Sequence, residues 1–335
     1  MHLQRDIVLL VTHSGDFYTV DRVAQSLLKL GAKPLRLDTD KFPTTVQLQM
    51  HLGYESNYGL ICSENINTEQ VQAVWMRRIW QPQLSEDLAP QFQTACIRES
   101  LAALEGFWDS LGNARWVDNL QRIRAAENKL SQLRVAQEVG FVIPRTLVTN
   151  NPESAREFFY EVKGKMVAKL LTPLSQSMSG STFFLYTSAV KEEDLLDAEL
   201  LRHSPMVFQE QIPKLRELRV VFVDGKLFVG AIDASAYATS TVDWRRASAD
   251  TCIWQSHELP LEIAFRLKKF MASFGLVFGA FDFIQTPSEE YVFLEVNPTG
   301  EWGMLERDLG YGISDAIAEA LLRNTGERGK GKGKE

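Results

Sequence analysis

Phe281-Asp282-Phe283, followed by Leu294-Glu295-Val296-Asn297-Pro298, sets three polar side chains inside two apolar runs. Each run has the composition of a strand. Burying a carboxylate among apolar neighbours is costly unless a cation or hydrogen-bond donors compensate it. Strand side chains alternate with period two, so Glu295 and Asn297 share one face. If the two strands are neighbours, Asp282 joins them there. Three hard oxygen donors on one face suit Mg2+, which takes few protein ligands and fills its shell with water and phosphate oxygens. The pattern also fits two strand-end carboxylates satisfied by water or by an arginine.

Working outward, Leu218–Val223 and Leu227–Ile232 flank Asp224-Gly225, a strong hairpin signal. A helix is expected over Leu261–Phe274, ahead of strands Val277–Ile284 and Tyr291–Val296, and a last helix over Ile313–Leu322. The tail Gly326–Glu335 has no apolar residue and is expected to be disordered.

Several charged residues stand in unusual company. Lys169 lies in Val167-Ala168-Lys169-Leu170-Leu171, an otherwise apolar strand, and must find an anion or extend to water. A nucleotide phosphate is one such anion. Lys129 lies on an amphipathic helix expected over Ala125–Val139, where a solvated lysine is the commoner explanation. Phe208-Gln209-Glu210-Gln211-Ile212-Pro213 passes from apolar strand to polar residues and proline, which fits a hinge between lobes or an ordinary strand end. Glu217 and Arg219 share a strand face, where the arginine can pair with the glutamate or grip phosphate with its planar fork. Arg245, in Asp243-Trp244-Arg245-Arg246, fits a surface cation–π pair or a clamp on a transferring phosphoryl group. The segment Thr172–Ser181 between two strands is small and polar, as a mobile loop would be.

The N-terminal third alternates strands and helices. Ile7–Thr12 reads as a buried strand ending in His13-Ser14-Gly15-Asp16, and Gly31 stops the helix that follows. Further strands are expected at Pro34–Leu37, Val46–Leu52, Tyr58–Cys62 and Ala73–Met76, then a long helical stretch from Glu86 to Gly112. This predicts a small α/β lobe. Arg77 and Arg78, between Trp75 and Trp80, fit contact with an anionic substrate or pairing with acids.

Over 335 residues, 36 basic and 43 acidic side chains give a net charge of −7, which argues against a nucleic-acid backbone as the main partner. Three scattered cysteines form no disulfide framework or CxxC pair, which fits a reduced, cytoplasmic setting. No apolar run is long enough for a membrane span, so no membrane partner is expected. The sequence lacks a Walker A loop, an N-terminal GxGxxG, GxSxG and HExxH, which weighs against P-loop, dehydrogenase, serine-hydrolase and zinc-protease chemistry.

Taken in order, Lys129, Lys169, the small-residue loop, Gln209-Glu210-Gln211-Ile212, Glu217-Leu218-Arg219, Arg245 and Asp282 with Glu295-Val296-Asn297-Pro298 resemble the ATP-grasp superfamily over roughly residues 116 to 325. Leu9–Asp16, Arg36–Pro43, Val74–Arg78, Asp243–Arg245 and Glu295–Glu301 are similar to the ATP-grasp maturases of microviridin-type ribosomal peptides. The opening THSGDFYTVDR looks most like their amide-forming branch. The resemblance implies an α/β ATP-grasp fold with a Rossmann-like N-terminal lobe over 1–115, a central lobe over 116–205, a C-terminal lobe with the metal site over 206–325, and the tail 326–335. It implies a ligase that uses ATP and Mg2+ to close side-chain amide rings in a precursor peptide of leader and core. The sequence leaves a homodimer open. Ester formation, or RimK-like addition of amino acids, would use the same ATP residues. By position, Lys129 and Lys169 would contact ATP, and Glu210, Gln211 and Ile212 would line its adenine pocket. Glu217 would reach the ribose, and Arg219 and Arg245 would steady the phosphoryl group. Asp282, Glu295 and Asn297 would hold Mg2+. The loop Thr172–Ser181 departs from the glycine-rich lids of relatives in having one glycine.

Overall fold

A computed structural model describes residues 4–53, 58–61, 66–171, 187–236 and 252–323. The chain forms two compact units, one from the N-terminal residues to Leu120 together with the segment from Gly312, the other from Gln121 to Tyr311.

The first unit holds β1 (Ile7–Thr12), α1 (Tyr18–Lys29), β2 (Lys33–Asp38), β3 (Leu48–His51), β4 (Tyr58–Ile61), β5 (Ile66–Asn67), β6 (Val71–Met76), α2 (Pro90–Asp109) and β7 (Arg115–Val117). A parallel sheet runs β2-β1-β6-β7, and β3-β4-β5 make a small antiparallel sheet. All six residues of β1 are buried, as expected of a central parallel strand covered on both faces. Val20, Val23 and Leu27 give α1 its apolar stripe, and Gly31 ends the turn at φ +79°. The long helix begins at Pro90 rather than Glu86, because proline's fixed φ suits the first helical position. The C-terminal helix Ile313–Leu322 returns to pack on α1, where Ser26 donates to Asp315 at 2.6 Å.

In the second unit follow α3 (Leu120–Glu127), α4 (Lys129–Glu138), β8 (Thr146–Thr149), α5 (Pro152–Glu161), β9 (Met166–Lys169), β10 (Ser188–Val190) and β11 (Met206–Glu210). The single helix expected over Ala125–Val139 is instead two. Asn128 leaves helical geometry and caps the second helix, accepting from the Ser131 amide at 3.0 Å. Antiparallel strands in the order β10-β9-β11-β8 are backed by α5 and a 3-10 helix over Glu192–His203, a helix that the sequence reading did not anticipate. The Thr172–Ser181 loop and the tail lie outside the described residues.

The remaining elements are β12 (Arg216–Val223), β13 (Lys226–Asp233), β14 (Gln255–Ser256), α6 (Leu261–Phe274), β15 (Phe278–Gln285), β16 (Tyr291–Asn297) and α7 (Gly303–Leu309). They build an antiparallel sheet in the order β14-β13-β12-β15-β16. Asp224 and Gly225 both take positive φ, which turns β12 into β13 in two residues. One face of this sheet carries Leu218, Val220, Phe222, Phe281, Phe283, Phe293 and Val296 into a core shared with α4 and α6. The other face carries a polar row that includes Arg219, Asp282 and Glu295.

Candidate functional site

Arg219, Asp282 and Glu295 are direct cross-strand neighbours: Arg219 pairs with Asp282 between β12 and β15, and Asp282 with Glu295 between β15 and β16. A bulge makes this row. Phe283 pairs with Phe293, yet the preceding residue Asp282 pairs with Glu295, so Leu294 is extra. Without that residue, plain alternation would set Glu295 on the same side as Phe293, in the phenylalanine core. The inserted residue moves Glu295 to the polar face and leaves Phe293 and Val296 buried. Asn297 follows on the same side, and its amide nitrogen donates to Glu295 at 3.3 Å.

Cations meet these carboxylates. Lys129, the first residue of α4, forms an ion pair with Glu295. Arg219 Nε is 3.1 Å from Asp282 Oδ1, close enough for an ion pair. Its N–H is not aimed at that oxygen, and among the described residues it makes no hydrogen bond although Arg219 is only 5% exposed. A buried guanidinium with a donor in reserve suits an incoming anion.

The position of Glu295 and Asn297 depends on a residue that sequence reading missed. Gln132, one turn after Lys129, is buried; its Oε1 accepts from the Val296 amide at 3.0 Å and its Nε2 donates to the Val296 carbonyl at 2.9 Å. The same Nε2 also donates to the Ala126 carbonyl at 2.6 Å. One side-chain amide thus clamps the Val296 backbone between the two candidate ligands and ties it to the α3–α4 junction. Gly300 closes the strand end just as tightly. A Cβ there would lie 2.5 Å from that of Ala280 and 2.9 Å from that of Asn297, so no larger residue fits without moving Asn297.

The other candidates are placed separately. Glu217 lies on the polar face of β12 and pairs with Lys214. Lys169 ends β9, on the side of that strand away from the α5 core, and has interactions of its own. At the end of β11, Arg145 grips Glu210 with two bonds of 2.9 and 3.1 Å, and that hydrogen bonding holds the Glu210 carboxyl below its ordinary range. The Glu210 and Gln211 amides donate to the Arg145 and Lys165 carbonyls, and Ile212 follows next along the chain. Arg245 lies outside the described residues. Trp302 is fully buried, which assigns it to the core.

The oxygen set fits a hard divalent cation that shares its shell with phosphate. Among the described residues no group of three or more His, Cys, Asp or Glu side chains could hold a metal by itself. Two carboxylates and one amide would leave positions for other oxygens.

Residues 7–124 match the family described as the MvdD pre-ATP grasp domain. No curated protein matches the sequence. Among solved structures, macrocyclase MdnB from Microcystis aeruginosa MRC is 56% identical, with a TM-score of 0.82 over 95% of this chain and 100% of that one. Macrocyclase MdnC from the same organism, solved with precursor peptide MdnA, is 34% identical, with a TM-score of 0.83 over 94% and 99%. A RiPP-associated ATP-grasp ligase from Chryseobacterium gregarium, solved with ADP and a leader and core peptide, is 29% identical, with a TM-score of 0.85 over 94% and 96%. Among the described residues no helix is long and apolar enough to cross a membrane. More than half of the residues shared with one macrocyclase along that protein's whole length, and a third with another, lead to one conclusion: the chain is a ligase and belongs to the ATP-grasp maturases of ribosomal peptides.

Proposed function

We propose that the protein joins an Asp or Glu side chain of a ribosomally made precursor peptide to a lysine amine of the same peptide, at the expense of ATP. The row Arg219–Asp282–Glu295 with Asn297 carries this reading, because it offers both anion-binding and cation-binding groups on one face. Asp282, Glu295 and Asn297 would hold Mg2+, which neutralises phosphate charge when bound. Arg219, with its reserved N–H, would meet a phosphate oxygen, and Lys129 would leave Glu295 for the triphosphate. Lys169 and the hinge Glu210–Ile212 would bind the rest of the nucleotide, with Glu217 near the ribose and Arg245 beside the phosphoryl group. The carboxylate of the peptide takes the γ-phosphoryl group, giving an acyl phosphate and ADP. The amine then attacks its carbonyl carbon, and phosphate leaves as the amide forms. Catalysis of this kind rests on positioning and charge stabilisation, with no enzyme nucleophile. The N-terminal segment THSGDFYTVDR supports amide over ester formation.

The test is incubation with Mg-ATP and a precursor peptide encoded beside this chain. The peptide should lose the mass of one water per ring as ADP appears, and the rings should survive mild base that opens esters. Base-labile rings would establish ester formation instead, and a gain of amino-acid mass would establish a RimK-like ligase.

The Lys129–Glu295 pair also predicts an order of binding. A lysine held on Glu295 opposes a free cation until a nucleotide draws it away. Lys129→Met should therefore tighten binding of Mn2+ alone, read by calorimetry, by about tenfold, while raising KM for ATP. Unchanged Mn2+ affinity would show that the pair does not guard the site.

A further inference from the structure

The first unit has a second place where ligands are expected. Its sheet runs β2-β1-β6-β7, so the chain leaves β1 for β2 on one side and later arrives at β6 on the other. In open parallel sheets the crevice beyond the carboxyl ends of strands at such a switch point is the usual ligand site. Here those ends are Thr12-His13-Ser14-Gly15-Asp16 after β1 and Arg77-Arg78 after β6.

This edge is tightly assembled. Thr39 donates to the Thr12 carbonyl at 3.0 Å and accepts from the Trp80 amide at 3.0 Å, which stitches the three loops together. Asp40 is spent on the Ser14 amide at 2.9 Å and on its hydroxyl. Asp16 is spent on Thr12, Thr19 and Arg77. Arg36 donates to Asp38 and to the His13 carbonyl. One buried group in this network is left over. His13 Nδ1 accepts from the Gly15 amide at 3.2 Å, which puts the proton of the neutral ring on Nε2, and Nε2 has no partner among the described residues although His13 is only 4% exposed. The ring is held in place by stacking on Trp80, with centroids 3.9 Å apart and planes 6° off parallel. Burial, above all, lowers the affinity of the ring for a second proton; Asp16 opposes this and nearby Arg78 reinforces it. A fixed N–H donor that lacks a hydrogen-bond partner among the described residues, in the field of a nearby cationic side chain, suits a carboxylate. Around it stand exposed aromatic rings, Phe17 at 64% and Trp80 at 43%, with Arg36 over the Phe17 ring. Apolar rings of that kind suit the stem of a side chain and its peptide backbone.

We infer that His13 Nε2 is the donor of a subsite for the carboxylate of an acidic side chain of the precursor peptide, with Trp80 and Phe17 beside its stem. This rests on the peptide-ligase reading given above.

The probe is N-acetyl-glutamic acid α-amide, which carries one carboxylate, against N-acetyl-glutaminamide, which carries none. Imidazole resonances of the full-length protein would be followed by NMR, with His13 assigned by its loss in His13→Gln. The glutamate derivative should shift the His13 signals in a saturable way and the glutamine derivative should not. Arg78→Gln should weaken that binding about tenfold, and should raise KM for the precursor while KM for ATP holds. No His13 shift with either compound, or equal shifts with both, overturns the subsite. The titration needs no turnover, so a saturable His13 response in a protein that closes no ring would count against the ligase reading alone.

Discussion

Glu295→Gln is expected to cut ADP formation by roughly a thousandfold or more, the scale on which a lost charge-stabilising group acts at a catalytic centre, with little change in stability. The substitution keeps shape and most hydrogen bonding. A glutamine oxygen can still accept from Asn297, and the Gln132 clamp on Val296 uses only backbone atoms of β16. What disappears is the negative charge that Lys129 meets and that a divalent cation would meet with nucleotide present. Lys129 reaches solvent, so losing its partner leaves no buried charge stranded, and the effect on unfolding should be small. The measurement is ADP release with saturating Mg-ATP and precursor, beside a thermal melt. Near-normal turnover would remove Glu295 from the metal site. A collapse of the melt would show that it is needed for the fold instead. Asp282→Asn makes a useful contrast, because Arg219 beside it is buried and would lose its counter-charge.

The sequence made part of this legible, and the limits have physical causes. Period-two alternation put Glu295 and Asn297 on one face correctly, since nothing interrupts β16 between them. It could not foresee the bulge at Leu294, because Val292-Phe293-Leu294 reads as unbroken apolar strand and the extra residue shows only in the pairing with β15. Gln132 escaped notice because a glutamine on an amphipathic helix reads as solvated; its role exists only once β16 lies alongside α4. The break at Asn128 was not anticipated, because one capping residue does not interrupt the helical spacing of the apolar residues around it. The Asp224-Gly225 hairpin and the helix over Leu261–Phe274 were read correctly because turn chemistry and helical spacing are local. In the N-terminal unit the motif His13–Asp16 was visible. What it does there depends on Arg77, which lies far off in sequence.

That dependence makes Asp16→Asn the second large effect, and here it falls on stability. Asp16 and Arg77 are 8% and 1% exposed, and Arg77 Nε lies 3.3 Å from Asp16 Oδ2. Thr12 and Thr19 donate to the two carboxylate oxygens at 2.9 and 3.1 Å. Removing one member of a buried, hydrogen-bonded pair strands the other charge and typically costs about 3–5 kcal/mol. Because the protein has two units, a single unfolding energy is ill defined, and hydrogen exchange along β1 is the better measure. Protection of its amides should drop by about two to three and a half orders of magnitude, the equivalent of that energy. Acid should have a related effect on the parent protein. Burial raises the proton affinity of Asp16, but Arg77 and the threonine hydroxyls outweigh it and leave the carboxyl below its ordinary value. A depressed folded-state value means that the pair contributes its full stability above the unfolded-state pKa, near 3.8, and loses it as pH falls through the lower folded-state value. The exchange protection of β1 in the parent should therefore fall steeply below about pH 4, and this component should be missing from Asp16→Asn. Asp16→Asn combined with Arg77→Met removes both charges, and should recover part of the lost protection at neutral pH. Failure of the double variant to recover any would place the cost in the Thr12 and Thr19 hydrogen bonds rather than in the stranded guanidinium.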